Sequence, residues 1–402
     1  MARTVFAGGQ VFDTRTASSA PADLVVEGDR IVDVGPGLDG DDSIDVSGRT
    51  LLPGLFDCHT HLVFSHIDLW KLMQQPFSYR FYEAEKNLRA TLDIGITTVR
   101  DAGGADLGMK KALQVGLIAG PRMQISIRML SQTGGHGDEW LPSGAFAAMF
   151  VEYPGSPHAL VDGPQEMRRK VRELIRNGAD VIKVATSGGV LSPRDDPRHA
   201  HFRMDELEVL VSEAAAAGMW VMAHAQAADG IKNAIRAGIR SIEHGVYLDD
   251  EAVSMMLEKG TYLVPTLVAP QGVISAAEAG AQIPEASLAK AKEVVEIHRE
   301  SFRKAVEAGV KVAMGTDSGV TPHGENLREL PLMMEGGMSP GQAIVATSAT
   351  AAELMGVQDE LGFLEPGKRA DVVIVEGDVF DVKTLPERIE AVYKDGIRVA
   401  ST

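Results

Sequence analysis

The sequence contains a single cysteine, Cys58, so no disulfide can form within the chain. This suits a reducing compartment, and we expect a cytoplasmic protein. No stretch approaches the ~20 apolar residues that a membrane helix needs, and the first residues lack the features of a signal peptide. Basic residues are outnumbered, with 39 against 56 acidic ones and a net charge of −17. We therefore expect no nucleic acid or membrane partner, and a small-molecule substrate instead.

The composition is that of a large globular protein. Of the 402 residues, 45% are apolar and 24% are charged, which are ordinary fractions for a folded chain. At roughly 100–200 residues per domain, this length corresponds to two or three average domains, or to one large domain with an appendage.

The two ends of the chain have the same pattern of short apolar runs separated by Gly, Asp and Pro. Residues 1–54 include DLVVEGDRIVDVG, and residues 357–402 include RADVVIVEGDVF. Such runs are typical of short antiparallel strands, and the Asp395-Gly396 pair predicts a tight hairpin. We predict that both ends together form one split β-sandwich domain.

The middle of the chain, residues 55–356, has a different sequence pattern. Eight candidate strands alternate with mostly helical patterns: LFDCHTH, ITTVRDAG, MQISIRML, DVIKVAT, WVMAHA, RSIEHG, TYLVPTL and KVAMGTD. Strands that alternate with helices indicate βαβ units and parallel pairing. Eight such units predict an α/β fold of the (β/α)8 TIM-barrel type, with a doubly wound open sheet as the alternative.

Two segments interrupt this alternation of strands and helices and are predicted to be long loops. Residues 131–163 follow the third candidate strand, and residues 268–284 follow the seventh. Both would lie at the carboxyl ends of the strands, where barrel active sites are built.

Two sequences resemble catalytic motifs, but their surroundings argue against that role. GMSPG (337–341) lacks the preceding strand of a nucleophile elbow, so we interpret Ser339 as a helix cap followed by Pro340. GFLEPGK (362–368) has phosphate-loop spacing, but Arg369 replaces the required Ser or Thr and a strand follows. We interpret this segment as a turn.

Polar side chains cluster at the ends of the candidate strands. His59 and His61 are two residues apart and would share one face of a strand. His224, His244 and Asp317 lie at or near the ends of the fifth, sixth and eighth strands. Each alone is compatible with a buried core histidine or a capping aspartate. Together they predict a metal site, because strand ends converge at one mouth and imidazole and carboxylate ligands suit zinc.

Lys183 lies in the fourth candidate strand, DVIKVAT. A buried ammonium among Val and Ile is costly, so a snorkelling side chain or an ion-pair partner is the simple interpretation. Its position on a strand of the same set makes it a further candidate for the site.

These residues together resemble the amidohydrolase superfamily of metal-dependent hydrolases. The resemblance covers nearly the whole chain: the split β domain, PGLFDCHTH, the lysine of the fourth strand, the two later histidines, GTD, and the terminal signature GFLEPGKRAD. SQTGGHGD (131–138) and SIEHG resemble the imidazolonepropionase-like branch, which includes Xaa-Pro dipeptidases (prolidases) and hydrolases of ochratoxin, molinate and phenylureas.

The resemblance implies a role for each residue. His59, His61 and Asp317 would bind the more buried of two divalent metal ions, most simply zinc, and His224 and His244 would bind the second. Lys183, carboxylated by CO2, would bridge both ions. The implied reaction is hydrolysis of a C–N bond by a metal-activated water, with Asp317 as proton shuttle. His136, in the loop after the third strand, would hold the oxyanion or a substrate carboxylate; alternatively it only stabilises the loop.

The substrate is the least constrained part of the prediction. We expect a dipeptide of the Xaa-Pro type or an N-acyl amino acid. Some dipeptidases of this branch carry a carboxylate-binding tyrosine where this chain has Gln226, so a neutral or aryl amide, carbamate or urea is the alternative. Further candidate partners for an anion are Arg128, Arg194, Arg198 and Arg203.

Two other functions are weighed against this one. Mononuclear deaminases of the superfamily lack the strand-four lysine and carry an acid soon after the strand-five histidine, whereas His224 is followed by Ala-Gln-Ala. A non-catalytic relative would have lost ligands, yet every expected ligand is present. We also expect identical chains to associate as a homo-oligomer.

Overall fold

The computed structural model describes residues 2–147 and 149–399, and its secondary structure is mixed α/β. The strands are, in chain order, β1 Arg3–Ala7, β2 Gln10–Asp13, β3 Ser18–Pro21, β4 Asp23–Glu27, β5 Arg30–Gly35, β6 Asp42–Asp45, β7 Arg49–Pro53, β8 Leu55–Thr60, β9 Ile96–Asp101, β10 Arg122–Ile125, β11 Met129–Leu130, β12 Val181–Ala185, β13 Trp220–Ala225, β14 Ser241–His244, β15 Tyr262–Val264, β16 Val372–Glu376, β17 Ile389–Lys394 and β18 Ile397–Arg398.

The α-helices are α1 Leu69–Gln74, α2 Tyr79–Asp93, α3 Leu107–Gln114, α4 Pro164–Arg176, α5 Met204–Ala216, α6 Ala228–Ala237, α7 Asp250–Lys259, α8 Val268–Glu278, α9 Glu285–Ala308, α10 Glu329–Glu335, α11 Pro340–Ala346 and α12 Ala349–Met355. Short 3-10 helices span Asn326–Arg328 and Leu385–Arg388.

The strands from the two chain ends form two sheets. One has four strands in the order β5-β4-β1-β6, and the other has six in the order β18-β17-β16-β7-β2-β3. In the second sheet β7 pairs antiparallel with β16, so that Leu51 lies opposite Ile374. Phe6 and Leu24 of the first sheet share a buried cluster with Leu51 and Val372 of the second. The burial of these apolar side chains holds the two sheets together.

The predicted hairpin at the carboxyl end is present. Asp395 and Gly396 join β17 to β18 with φ angles of +53° and +74°. Two consecutive positive φ angles are those of a tight turn whose twist matches antiparallel strands, and Gly adopts them without a Cβ clash.

The central strands are all parallel. One sheet has the order β10-β9-β8, and another has β11 to β15 in chain order. Parallel bridges join Leu263 to Val312 and Thr60 to Ser318, and the amide of Cys58 donates to the carbonyl of Met314 at 2.9 Å. Residues 312–318 therefore lie between β15 and β8, although they form no regular strand.

Helices cross between most of the parallel strands, as their sequence patterns predict. In α4 the buried residues Met167, Val171 and Leu174 form one stripe, and Gly178 follows the helix with a φ of +88°. Ser339 caps α11: its hydroxyl accepts from the amide of Gln342 at 3.2 Å, which agrees with the capping interpretation. The GFLEPGK segment is a turn that leads into β16.

Three local predictions were wrong. Residues 268–284, predicted as a loop, contain α8, because the buried carboxylate of Glu329 accepts from the amides of Leu267 and Val268 at 2.7 and 2.9 Å. The third candidate strand is split into β10 and β11 by Ile127, whose φ is +66°. The spacing of Asp205 and Glu208 predicts a capping box at the start of α5, but the helix begins at Met204 and it is Glu206 that accepts from the Arg203 amide, at 2.7 Å.

No helix within residues 2–147 and 149–399 combines the length and the hydrophobicity that a membrane crossing would require.

Candidate active site

The six predicted ligand side chains lie at the carboxyl ends of neighbouring parallel segments. They are His59 in β8, His61 just beyond it, Lys183 in β12, His224 in β13, His244 at the end of β14, and Asp317 in the segment that follows Val312. Strand register explains part of this convergence, since Ala185 is paired with His224 and Ala225 with His244. The ends of parallel neighbours open toward the same edge, so their side chains meet.

The distances within this cluster are short. His59 Nε2 lies 3.1 Å from Lys183 Nζ and 3.4 Å from Asp317 Oδ1, and His61 Nε2 lies 3.3 Å from the same Asp317 oxygen. One ligand atom each from His59, His244 and Asp317 lies within 4.8 Å of the other two. Such a spacing brings ligand atoms of the predicted set close enough together for metal binding.

Each imidazole has one ring nitrogen engaged by a group outside the predicted ligand set. The Nδ1 atoms of His59, His61 and His244 lie 2.8, 2.7 and 2.7 Å from Glu243, the Gly103 carbonyl and the Thr266 hydroxyl. In His224 the engaged atom is Nε2, which lies 3.1 Å from the Gly188 carbonyl. Outer contacts of this kind fix the tautomer and the orientation of metal-binding histidines. The chemistry of the donor set therefore suits a divalent metal ion.

Glu243 is a functional residue that the sequence reasoning missed. It is fully buried, and while Oε2 contacts His59, Oε1 accepts from Arg100 at 2.8 Å and from Ser241 at 2.5 Å. Burial alone would raise the pKa of the Glu243 carboxyl. The charge of Arg100 and the hydrogen bond with His59 have the larger combined effect, so the pKa of Glu243 lies below its usual value. The available signal was a pair of charged residues, Arg100 and Glu243, inside otherwise apolar strands.

Asp57 organises the backbone beneath the cluster. Its buried carboxylate accepts from the His59 amide at 3.0 Å, the Thr316 hydroxyl at 2.6 Å and the Asn326 amide group at 2.8 Å. It thereby links β8 to the segment that carries Asp317. The backbone is strained here, since His244 and Asp317 have φ angles of +72° and +60°.

The electrostatics favour neutral imidazoles at His59, His224 and His244 and an ionised Asp317. Burial lowers the pKa of His59 to about 4 and holds the pKa values of His224 and His244 well below the usual histidine value. Burial opposes ionisation of Asp317, but the hydrogen bond from His61 and the nearby histidines hold its pKa well below the usual range. Burial also lowers the pKa of Lys183 to about 8, so an appreciable fraction of its amine is unprotonated near neutral pH.

The cluster opens into a cavity with mainly apolar walls. Five of the six candidate ligands line it, and His59 lies buried beneath. The apolar lining comes from several loops and from α8, and it includes Phe64, Trp140, Phe150, Val190 and Val273. Apolar walls with a few convergent polar groups are typical of small-molecule sites.

His136 lies at this cavity, as predicted. Its ring stacks on that of His224, with centroids 4.1 Å apart and planes 16° from parallel. Its Nδ1 lies 2.7 Å from the Ser192 hydroxyl and 3.3 Å from the Asp195 carboxylate. The loop after β12 therefore holds the ring in place.

Gln226 also lines the cavity, and its side-chain Oε1 is buried without a hydrogen-bond partner among the described residues. Its backbone amide donates to Ser187 at 2.7 Å, which fixes the position of the residue. An unpaired buried acceptor is costly, so a ligand N–H at this position would be stabilised.

Of the four arginines considered from the sequence, Arg194 alone is among the described residues that line the cavity. Arg128 instead donates to the carbonyl of Phe150 at 2.8 Å, and Arg198 pairs with Asp196 at 2.8 Å.

Comparison with known proteins agrees with this geometry. A sequence model of the amidohydrolase family matches residues 50–399. The chain is 38% identical over 364 residues to ochratoxinase of Aspergillus niger, which covers 86% of this chain and 75% of that protein. It is 24% identical over 398 residues to imidazolonepropionase of Geobacillus kaustophilus, which covers 89% of this chain and 80% of that protein.

Two solved structures are similar over their whole length. A Xaa-Pro dipeptidase with bound methionine in its active site has a TM-score of 0.90 and 35% identity, covering 99% of this chain and 100% of that chain. A prolidase complexed with N-methylphosphonate-L-proline also has a TM-score of 0.90 and 35% identity, covering 100% of both chains.

Proposed function

This chain belongs to the amidohydrolase family and is a hydrolytic enzyme, and from that premise we propose that it is a binuclear metal-dependent hydrolase. Its proposed substrate is a dipeptide of the Xaa-Pro type or an N-acyl amino acid, in which it cleaves the C–N bond. One observation carries the proposal: four imidazoles, each with one nitrogen held by a group outside the ligand set, meet Lys183 and Asp317 at one end of the parallel strands.

The proposed architecture that positions the site is a closed (β/α)8 barrel over residues 55–356. The bridges at Thr60 and Leu263 support closure, because they connect residues 312–318 to β8 on one side and to β15 on the other. Residues 1–54 and 357–402 would form the β-sandwich domain, and the shared sheet containing β7 and β16 supports that division.

We assign His59, His61 and Asp317 to one metal ion, His224 and His244 to a second, and Lys183 to both. Imidazole and carboxylate ligands favour zinc. When bound, the two ions would polarise the scissile carbonyl and lower the pKa of the attacking water.

Lys183 would act as a carbamate. Its unprotonated Nζ adds to CO2 and loses one proton, which converts a neutral amine into an anion with two ligand oxygens. The lowered pKa of Lys183, about 8, supports this step because only the unprotonated amine reacts. Its Nζ lies 3.1 Å from His59 Nε2, within the proposed ligand set.

Asp317 is the proposed proton shuttle. Its Oδ1 lies 3.3 and 3.4 Å from the Nε2 atoms of His61 and His59, and its carboxylate reaches the cavity. It would first accept the proton of the attacking water and then deliver it to the leaving nitrogen. One residue would thus act as general base and afterwards as general acid.

His136 and Gln226 are the proposed substrate contacts. The stacking of His136 on His224 keeps its unengaged Nε2 edge close to the proposed metal ligands, where it could donate to a carbonyl oxygen or a carboxylate. The unpaired Oε1 of Gln226 could accept from a substrate N–H.

A neutral or aryl amide, carbamate or urea is the second candidate substrate class. The apolar walls around Trp140 and Phe150 favour it, as does Gln226 at the position where some dipeptidases of this branch carry a tyrosine. The 38% identity to an ochratoxinase also supports this second class for the chain.

Hydrolysis of a substrate panel tests the proposal. Zinc-loaded protein is incubated with Xaa-Pro dipeptides, N-acyl amino acids, aryl amides and carbamates, and the released amine is quantified. We expect release from a dipeptide or N-acyl amino acid and none with Asp317→Asn. Cleavage of the neutral compounds alone would favour the second class, and no cleavage of any compound would contradict the proposal.

A further inference from the structure

Two loops meet over the cavity and bring Arg194 against Trp140. Arg194 lies between β12 and α5, and Trp140 lies in the loop after β11. The guanidinium carbon of Arg194 is 4.9 Å from the centre of the Trp140 ring, and both residues line the cavity. A cation over an aromatic face is attracted to it, so Trp140 orients the guanidinium.

The Arg194 guanidinium has no other partner within the described parts of the chain. No ion pair and no side-chain hydrogen bond involves it, so its five N–H donors are available. The nearby Arg198 is different, because its guanidinium donates to both carboxylate oxygens of Asp196, at 2.9 and 2.8 Å. Of these two exposed arginines in one loop, Arg194 is the one left without a carboxylate.

Trp140 belongs to a small hairpin, which fixes the position of its backbone next to the Arg194 guanidinium. The amide of Leu141 donates to the Ala145 carbonyl at 2.7 Å, and that of Ala147 donates to the Glu139 carbonyl at 2.8 Å. Trp140 itself is bridged to Phe146. Backbone hydrogen bonds thus fix the segment that carries the indole.

The other charges at this end of the cavity do not neutralise Arg194. Asp138 is occupied by the amides of Gly134 and Trp140, at 2.8 and 3.0 Å. Glu139 accepts from the Phe150 amide at 3.1 Å, and burial raises its pKa to about 7, which reduces its negative charge at neutral pH. Among the described lining residues the only other Lys or Arg is Lys183, which lies within the ligand cluster.

We propose that Arg194 is the residue that recognises the free carboxylate of the substrate, and that it thereby selects acids over their neutral amides. A planar guanidinium with free donors binds a carboxylate in a bidentate manner. His136, stacked on His224 close to the proposed ligands, is then left for the reacting carbonyl. This inference rests on the proposed function, since it names the substrate class of the same site.

The test compares matched substrates and matched variants. The dipeptide that the panel shows to be cleaved best is prepared as the free acid and as the C-terminal carboxamide. Wild type, Arg194→Met and Arg198→Met are assayed on both, with metal content and thermal unfolding as controls. Arg198→Met is the matched control because Arg198 is exposed on the same loop but is already paired and does not line the cavity.

We expect wild type to prefer the free acid by at least ~10-fold in kcat/KM, mainly through KM. Arg194→Met should lose most of this preference, because its KM rises far more for the free acid than for the carboxamide, while Arg198→Met retains the preference. A preference that survives in Arg194→Met but collapses in His136→Ala would overturn the inference.

Two further outcomes distinguish a failure of this inference from a failure of the proposed function. If wild type cleaves acid and carboxamide equally, the inference is wrong while C–N hydrolysis stands. If no compound of the panel is cleaved, the proposed function fails and the inference fails with it.

Discussion

His59 Nδ1 lies 2.8 Å from Glu243 Oε2, and both side chains are completely buried. Because the carboxylate can only accept, Nδ1 carries the proton and the lone pair of Nε2 faces Lys183 and Asp317. A residue outside the proposed ligand set thus decides which nitrogen of His59 can bind an ion. Arg100 in turn holds the second oxygen of Glu243 at 2.8 Å.

Replacing Glu243 by Gln should destabilise the fold. The guanidinium of Arg100 would remain buried without a carboxylate, and breaking a buried ion pair in this way costs ~3–5 kcal/mol. Urea unfolding of the metal-free protein measures the loss without a contribution from metal binding. Glu353→Gln is the control, because its pair with Lys311 at 3.3 Å is exposed and worth less than ~1 kcal/mol. Equal losses in both variants would contradict this reasoning.

Purified protein prepared without chelator should contain two divalent ions per chain, and zinc is expected. The number follows from the proposed division of the six ligand residues between two ions. Elemental analysis measures the metal content per chain. One ion per chain would indicate a mononuclear, deaminase-like site. A count near zero after metal supplementation would indicate a non-catalytic relative.

Lys183→Ala should lose the second ion and most of the activity, because no carbamate could bridge the two ligand groups. Formate or acetate added to this variant should restore part of the activity by supplying the missing carboxylate. Metal analysis and amine release, measured with and without the added acid, check both effects. A Lys183→Ala protein with two ions and normal turnover would exclude a bridging role.

Asp317→Asn should lower kcat by at least ~10²-fold, because the amide retains an oxygen but cannot take a proton at the reacting atoms. Steady-state kinetics on metal-loaded protein tests this, together with a metal count. Asp138→Asn is the matched control, since Asp138 also lines the cavity but is occupied by loop amides. The shuttle assignment fails if Asp317→Asn keeps its metal and near-normal turnover.

Sequence reasoning located the cluster because its residues follow a simple rule: the side chains end neighbouring parallel strands. Glu243 and Arg100 were missed because their pairing depends on two strands, β9 and β14, that are distant in the sequence. Helix α8 was missed for a similar reason. Its sequence carries Pro270 and Gly272, which lower helix propensity, and the carboxylate that caps its start belongs to Glu329, far along the chain.

The shared sheet of the two chain ends has a consequence for synthesis of the protein. Strand β7 is made early, yet its antiparallel partner β16 comes near the end; the Thr50 hydroxyl donates to the Gly377 carbonyl, 327 positions later. Until β16 emerges from the ribosome, one edge of β7 exposes unpaired amides and carbonyls, which invite pairing with other chains. Contacts between such distant residues also slow folding. The nascent chain is therefore most prone to aggregate in the interval between synthesis of β7 and synthesis of β16.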